Sequence, residues 1–350
     1  MKNITVMGID IAKNFMQLHG TDDKGTVLLK KRLNRNGFLA FMANVPCCLI
    51  GMEACGGAHY WAQELVKLGF EVKLMSPRKV KKFVENNKND ANDAKACAEA
   101  VMRADMKFVP LKTQVQLEIQ STHRVRSYYV KQRTAVMNMI RGLLLENGIA
   151  IAKTQTALVK KLKILLEDEN KMLPTKIKYM FQSLSDDLKR FDQVIEHFNT
   201  QVAQLAKEDH ACRQISTLPG IGPLTATAMI AKIGNGSEFR KGRELSAYLG
   251  IVPKQYSSGE TQRLGKISKH GDRYLRYLLI HGGRSAIQGA LRKNKLTKSY
   301  EKQDAHSQWM RTLVERIGKN KASVAVANKN ARMIVALLKN QTTFEAALAH

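Results

Sequence analysis

Ile4-Thr5-Val6-Met7-Gly8-Ile9-Asp10 is an apolar run near the start of the chain that stops on a carboxylate. Its β-branched side chains and lack of a helical period predict a buried strand with Asp10 at its end. A second run, Cys48-Leu49-Ile50-Gly51-Met52-Glu53, repeats the pattern and again ends on an acid. Between the two, Phe15-Met16-Gln17-Leu18-His19 and Thr26-Val27-Leu28-Leu29 read as strands joined by the turn Asp22-Asp23-Lys24-Gly25. A helix is predicted around Gly37 to Ala43, an amphipathic helix from Tyr60 to Leu68, and a fifth strand from Glu71 to Met75. Three leading strands, a crossover helix and two further strands describe an α/β domain of RNase H-like layout over residues 1–112.

Four acids stand out in this frame: Asp10, Glu53, Asp90 and Asp93. The last two lie in Asn89-Asp90-Ala91-Asn92-Asp93-Ala94-Lys95-Ala96, whose Ala-rich continuation favours a helix, and a spacing of three puts both on one helical face. Carboxylates at two strand ends and on one helix face can converge, and convergent carboxylates repel unless a hard cation sits among them. Mg²⁺ (or Mn²⁺) takes oxygen ligands of this kind and organises attack at phosphorus. The same spacing also fits four surface acids that never meet.

The charge balance favours phosphate chemistry. The chain carries 57 Lys and Arg against 30 Asp and Glu, a formal net charge of +27 with a pI near 9.9. Such an excess is the footprint of a polyanion partner, usually nucleic acid. Aromatic residues make up 6% of the chain, too few for single-strand binding by base stacking to be the main mode. No stretch of 18 apolar residues predicts a membrane span, and the N-terminus runs into a strand without a signal-peptide pattern. Cys47, Cys48, Cys55, Cys97 and Cys212 form no C-x-x-C pair, so they read as reduced, structural thiols of a cytoplasmic protein.

At 350 residues the chain is long enough for two or three domains. Residues 113–210 change character: an uninterrupted helical pattern runs from Gln114 to Gly148, and another from Pro174 to Lys207. Their apolar stripes predict a helical, coiled-coil region serving oligomerisation, with a homo-oligomer (dimer or tetramer) as the expected state. Residues 211–350 form a third, mostly helical region with 24 Lys and Arg against 8 Asp and Glu, or +16 of the +27. Leu218-Pro219-Gly220-Ile221-Gly222-Pro223-Leu224-Thr225-Ala226 resembles a helix-hairpin-helix element, in which glycines let backbone N–H groups reach a DNA phosphate. A plain turn before a core helix has the same composition.

Downstream, Val252-Pro253-Lys254-Gln255-Tyr256-Ser257-Ser258-Gly259-Glu260 reads as a flexible, exposed loop by its turn residues. A serine attacks phosphorus only when it is activated and flanked by cations that stabilise the developing charge. Lys266, Lys269, Arg273 and Arg276 are the candidate cations, and no Ser-His-Asp arrangement is readable, although His270 and His281 lie nearby in sequence.

Taken together these segments resemble a known family. Gly8-Ile9-Asp10-Ile11-Ala12-Lys13, Met52-Glu53-Ala54-Cys55-Gly56-Gly57 and Asn89-Asp90-Ala91-Asn92-Asp93-Ala94 resemble the DEDD domain of the insertion-sequence 110/1111 transposases. Leu218 to Ala226, Tyr248-Leu249-Gly250-Ile251-Val252-Pro253, Ser257-Ser258-Gly259, Ile267-Ser268-Lys269-His270-Gly271-Asp272 and Lys321 to Ala327 resemble its C-terminal transposase domain. Glu260 after Gly259 looks most like the 1111 branch. The resemblance implies a site-specific DNA recombinase, with a RuvC-like N-terminal domain, that moves its own insertion sequence. It assigns Asp10, Glu53, Asp90 and Asp93 to divalent metal and a serine of the Ser-Ser-Gly loop to covalent attack on DNA: Ser258, with Ser257 as the fallback. It also implies double-stranded donor and target DNA as partners, a non-coding bridge RNA that pairs with both, and a place on the nucleoid when DNA is bound.

Three other readings share some of these features. A metal-dependent junction-resolving nuclease needs the acids and forms no covalent intermediate. A sugar-kinase or actin-like ATPase also starts with Gly-Ile-Asp, but it needs a second Gly-rich phosphate loop that is not found here. A non-catalytic DNA- or RNA-binding protein would carry the charge without a working acid cluster.

Overall fold

A computed structural model of the chain describes residues 3–85, 89–167, 173–259, 261–293, 299–302 and 304–344. These form two compact units that divide between Thr113 and Gln114. In the first unit β1 (Val6–Ile11), β2 (Phe15–Thr21), β3 (Val27–Asn34), α1 (Arg35–Met42), β4 (Leu49–Glu53), α2 (Ala58–Lys67), β5 (Glu71–Met75), α3 (Pro77–Val80), α4 (Asp90–Val101) and β6 (Phe108–Val109) follow in order. The strands make one sheet in the order β3-β2-β1-β4-β5-β6. β1 pairs antiparallel with β2 and parallel with β4, and β5 continues parallel to β4.

Alternation along β1 explains the layering. Met7 and Ile9 are fully buried in a core shared with Phe38 and Met42 of α1 and Trp61, Ala62 and Leu65 of α2. Val6 lies in the opposite core with Ala96, Cys97, Ala98 and Val101 of α4. That face carries Gly8 and Gly51 where β1 and β4 cross beneath α4. A Cβ on Gly51 would come 2.6 Å from the Cys97 carbonyl oxygen, and one on Gly8 would strike the Ala94 carbonyl. Two glycines below an Ala-rich helix thus let its backbone approach the sheet closely.

The second unit is mostly helical. It comprises α5 (Gln114–Glu146), α6 (Gln155–Glu167), α7 (Thr175–Glu208), α8 (His210–Ser216), α9 (Pro223–Ile233), α10 (Gly242–Tyr248), β7 (Pro253–Ser258), β8 (Thr261–Ile267), α11 (Arg273–Ala290), α12 (Ala305–Ile317) and α13 (Lys319–Asn340). The long helices α5 and α7 pack on each other through Ile140, Leu144, Phe181 and Leu188, with Leu158, Leu162 and Leu165 of α6 joining their core. Arg133 Nη1 meets Asp192 Oδ1 at 2.7 Å, and Arg126 Nε donates to Asn199 Oδ1 at 2.7 Å, fixing the register of the pair. Both helices also pack on α9, so the middle and C-terminal stretches of sequence share one compact unit.

A buried histidine ties three of these helices. His123 of α5 lies 3.0 Å from the Tyr274 hydroxyl of α11 through Nδ1 and 2.9 Å from Thr227 Oγ1 of α9 through Nε2. Thr227 donates its hydroxyl proton to the Pro223 carbonyl at 2.8 Å, so towards His123 it accepts. Nε2 therefore carries the hydrogen, and Nδ1 accepts from Tyr274. Burial, with Arg126 adding to it, pushes the His123 pKa down to about 4.

Gly220, read from sequence as a phosphate-facing glycine, has φ +87° and its backbone lies against that of Gly282 in α11. Its lack of a side chain serves helix packing. Among the described residues no helix is long and apolar enough to cross a membrane.

Candidate active site

β1 and β4 run parallel with Gly8 beside Gly51 and Ile9 beside Met52. The next residues, Asp10 and Glu53, therefore leave neighbouring strands side by side at their C-terminal ends. Both stand on the face that α4 covers, because they alternate in phase with Gly8 and Gly51. Asp10 and Glu53 are half-buried, and each has interactions of its own with the protein.

α4 supplies the other two acids. Asn89 caps it by accepting from the Asn92 backbone N–H at 2.8 Å, a contact worth about 1 kcal/mol. Asp90 and Asp93 occupy the first turn, where each carboxylate also gains about 0.3–1 kcal/mol from the helix dipole. Asp93 lies one turn before Cys97, on the same side of the helix, and is half-buried, whereas Asp90 is exposed. Burial raises the Cys97 thiol pKa, and the carboxylates of Glu53, Asp10 and Asp93 raise it further. Burial also raises the Cys55 thiol, followed by Asp10 and Glu53. The Ala94 carbonyl lies over Gly8 and the Cys97 carbonyl over Gly51, so α4 sets Asp93 near the ends of β1 and β4 that bear Asp10 and Glu53. Asp90 stands one turn further out.

The side chains do not form a ready-made cage: among the described residues no group of three His, Cys, Asp or Glu could hold a metal ion as placed. Like charges sharing a neighbourhood repel, which favours such spreading. The donor set suits a hard divalent cation nonetheless, since it offers carboxylate oxygens at a half-buried edge with the soft thiol of Cys97 buried beneath. Cations border the same helix. Lys95 Nζ bonds Glu85 Oε2 at 2.7 Å and lies 3.4 Å from Glu99 Oε1.

Ser257 and Ser258 are placed differently from the flexible loop that their composition suggests. They end β7 of a two-stranded ribbon in which Ser258 pairs with Thr261, Ser257 with Gln262, Tyr256 with Arg263 and Gln255 with Leu264. Gly259 turns the chain with φ +55°, a conformation that suits glycine; Glu260 lies outside the described residues. Every residue of β7 is exposed. Ser257 Oγ accepts from Gln255 Nε2 at 3.0 Å, so these two share a face.

Arg276 is a correction to the sequence reading. It is 9% exposed and donates Nη1 to the Leu249 and His270 carbonyls at 2.9 and 3.1 Å, so it clamps the base of the ribbon and offers nothing to a phosphate. Lys266, Lys269 and Arg273 are exposed. Asp272 caps α11 by accepting from the Tyr274 and Leu275 N–H groups. Arg263, which the sequence does not single out, stands directly across from Tyr256. A Gly-x turn flanked by two short polar runs was the available hairpin signal.

Two family models match this chain, and the N-terminal one runs past the boundary between the two units into α5. A model described as "Transposase IS116/IS110/IS902 family" matches residues 212–300, and a DEDD transposase model of the IS110 type matches residues 7–148. The "Probable family 20 transposase" of Pseudomonas aeruginosa is 40% identical over 98% of this chain and 99% of its own. The transposase for insertion sequence element IS1111A of Coxiella burnetii is also 40% identical, over 98% of this chain and 92% of its own. The transposase for element IS1328 of Yersinia enterocolitica is 34% identical over 98% and 99%.

Proposed function

Because the chain belongs to the IS116/IS110/IS902 family of insertion-sequence transposases, we propose that it cuts and rejoins DNA through a covalent phosphoserine at Ser258, with Asp10, Glu53, Asp90 and Asp93 holding a divalent cation. The observation that carries the metal half is the pairing of β1 with β4, which leaves Asp10 and Glu53 side by side under the helix that bears Asp93. The sheet order β3-β2-β1-β4-β5 supports the RNase H-like reading of this unit. Bound there, Mg²⁺ or Mn²⁺ would supply charge stabilisation at a scissile phosphate.

The chain's own groups do the rest. Ser258 attacks phosphorus and keeps the bond energy in a phosphodiester, so the strands rejoin without an external energy source. Exposed lysines and arginines hold the DNA backbone, and this partner follows from the family. The middle helices serve assembly into a homo-oligomer: Tyr128 and Met139 of α5 are each 56% exposed and Leu145 is 64% exposed, leaving apolar surface to cover. A non-coding bridge RNA as guide rests on the family resemblance and suits the charge of +27.

Strand cleavage separates this reading from a hydrolytic junction nuclease. The test is a plasmid carrying the element's own junction and its flanking non-coding DNA. Ser258→Ala and Asp10→Asn are each expected to abolish cleavage, and Ser258→Ala to bind DNA yet form no covalent protein–DNA adduct. Cleavage that survives Ser258→Ala but is lost in Asp10→Asn would establish the hydrolytic nuclease instead.

A further inference from the structure

The ribbon has two faces, and its pairing sorts the two serines between them. Residues directly across an antiparallel pair share a face, and residues two apart along a strand share it too. Ser258 pairs with Thr261 and Tyr256 with Arg263, so Tyr256, Ser258, Thr261 and Arg263 stand on one face. Gln255, Ser257, Gln262 and Leu264 stand on the other, in accord with the bond from Gln255 to Ser257. The Tyr256 ring lies against Gly265, where an added Cβ would come within 3.4 Å of it. One face thus offers three hydroxyls and a guanidinium. The other offers two amides, one hydroxyl and a leucine side chain that is 70% exposed.

We propose that Arg263 is the cation that contacts the phosphodiester under attack by Ser258, with Tyr256 and Thr261 flanking the same phosphate. The inference rests on the reading of Ser258 as the nucleophile and adds the residue that stabilises its transition state. Attack on phosphorus forms the Ser258 Oγ–P bond and breaks the P–O bond to a deoxyribose oxygen. The electron pair leaves on that oxygen, which takes up a proton while the serine hydroxyl gives one up. One phosphodiester replaces another, so no oxidant or further reactant is needed. Negative charge builds on the non-bridging oxygens during this exchange, and a guanidinium presents a planar fork of donors to them. Arg263 shares the ribbon face of Ser258, close enough to meet the same phosphate, whereas buried Arg276 is already held by two carbonyls.

Trapping of protein–DNA adducts on the junction plasmid, with detergent quench and mass spectrometry of the modified peptide, tests the proposal. The full-length wild-type chain, Arg263→Ala, Arg263→Lys, Leu264→Ala, Ser257→Ala and Ser258→Ala are compared, and DNA retention is measured by gel shift on the same plasmid fragment. Arg263→Ala is expected to lower the rate of adduct formation by about 10²–10³-fold, the loss that follows removal of one charge-stabilising donor. Retention should change less than about threefold, Arg263→Lys should recover part of the rate, and Leu264→Ala and Ser257→Ala should react like the wild type. An adduct rate unchanged in Arg263→Ala, while Ser258→Ala forms none, overturns the inference and leaves the nucleophile assignment standing. A fall in retention that matches the fall in rate also overturns it, since Arg263 would then be a general binding cation. An adduct that persists in Ser258→Ala refutes the nucleophile reading itself. One that moves to Ser257 refutes both.

Discussion

Gly8 and Gly51 carry no chemistry, yet they set where the acids lie. Neither has space for a side chain beneath α4. Gly51→Ala is expected to destabilise the first unit by about 1–3 kcal/mol, the usual cost of forcing a methyl group into a packed layer. Thermal unfolding would measure this, and an unchanged midpoint would mean that α4 is not seated on the sheet as described. At this scale the four acids are readable because each ends an apolar run or opens an Ala-rich helix. Arg276 is not. A basic residue near a serine suggests a phosphate contact in any sequence, and only the fold reveals that two backbone carbonyls bury it. Arg263 escapes notice for the reverse reason, since an isolated arginine among polar residues gives no sign of its partner across the turn.

Among the elements, those with a long apolar run or a long apolar stripe are legible, and short or exposed ones are less so. β5 and the starts of α5 and α7 fall within a residue of their expected positions, because a regular apolar stripe announces them. The apolar pattern of β3 ends at Leu29, but the strand continues to Asn34. Its Lys30-Lys31-Arg32 stretch is an exposed sheet edge and has no apolar period. The ribbon of β7 and β8 reads as a loop on the same grounds. In the middle region α6 is short and charged enough that the sequence marks no boundary for it. The His123 link makes a prediction at this scale. Its folded pKa, about 4, lies below the ordinary 6.5, so the unfolded chain binds the proton more readily. Stability contributed by neutral His123 is therefore complete above pH 6.5 and is lost as pH falls towards 4, by about 2 kcal/mol at pH 5. Chemical denaturation at pH 7 and pH 5 should show that loss in the wild type and a smaller one in His123→Gln. Equal losses in both would place the pH response elsewhere.

For the whole molecule, the net charge of +27 leads us to expect phosphate contacts as the main source of DNA affinity. Binding should weaken about a thousandfold or more between 50 and 200 mM salt if six or more phosphates are engaged. A flat response in a fluorescence titration would contradict that. Composition alone discloses this much, whereas the division at Thr113 and the shared packing of the middle and C-terminal helices depend on tertiary contacts that no local pattern encodes. Within this basic chain, β1, β4 and α4 are proposed to gather carboxylates for a divalent cation. Calorimetric titration of the full chain with Mn²⁺, repeated on Asp10→Asn, Glu53→Gln, Asp90→Asn and Asp93→Asn, tests it most directly. Saturable binding that weakens at least about tenfold, or about 1.4 kcal/mol, in each variant is the predicted result. Identical heats in the wild type and all four variants would contradict it.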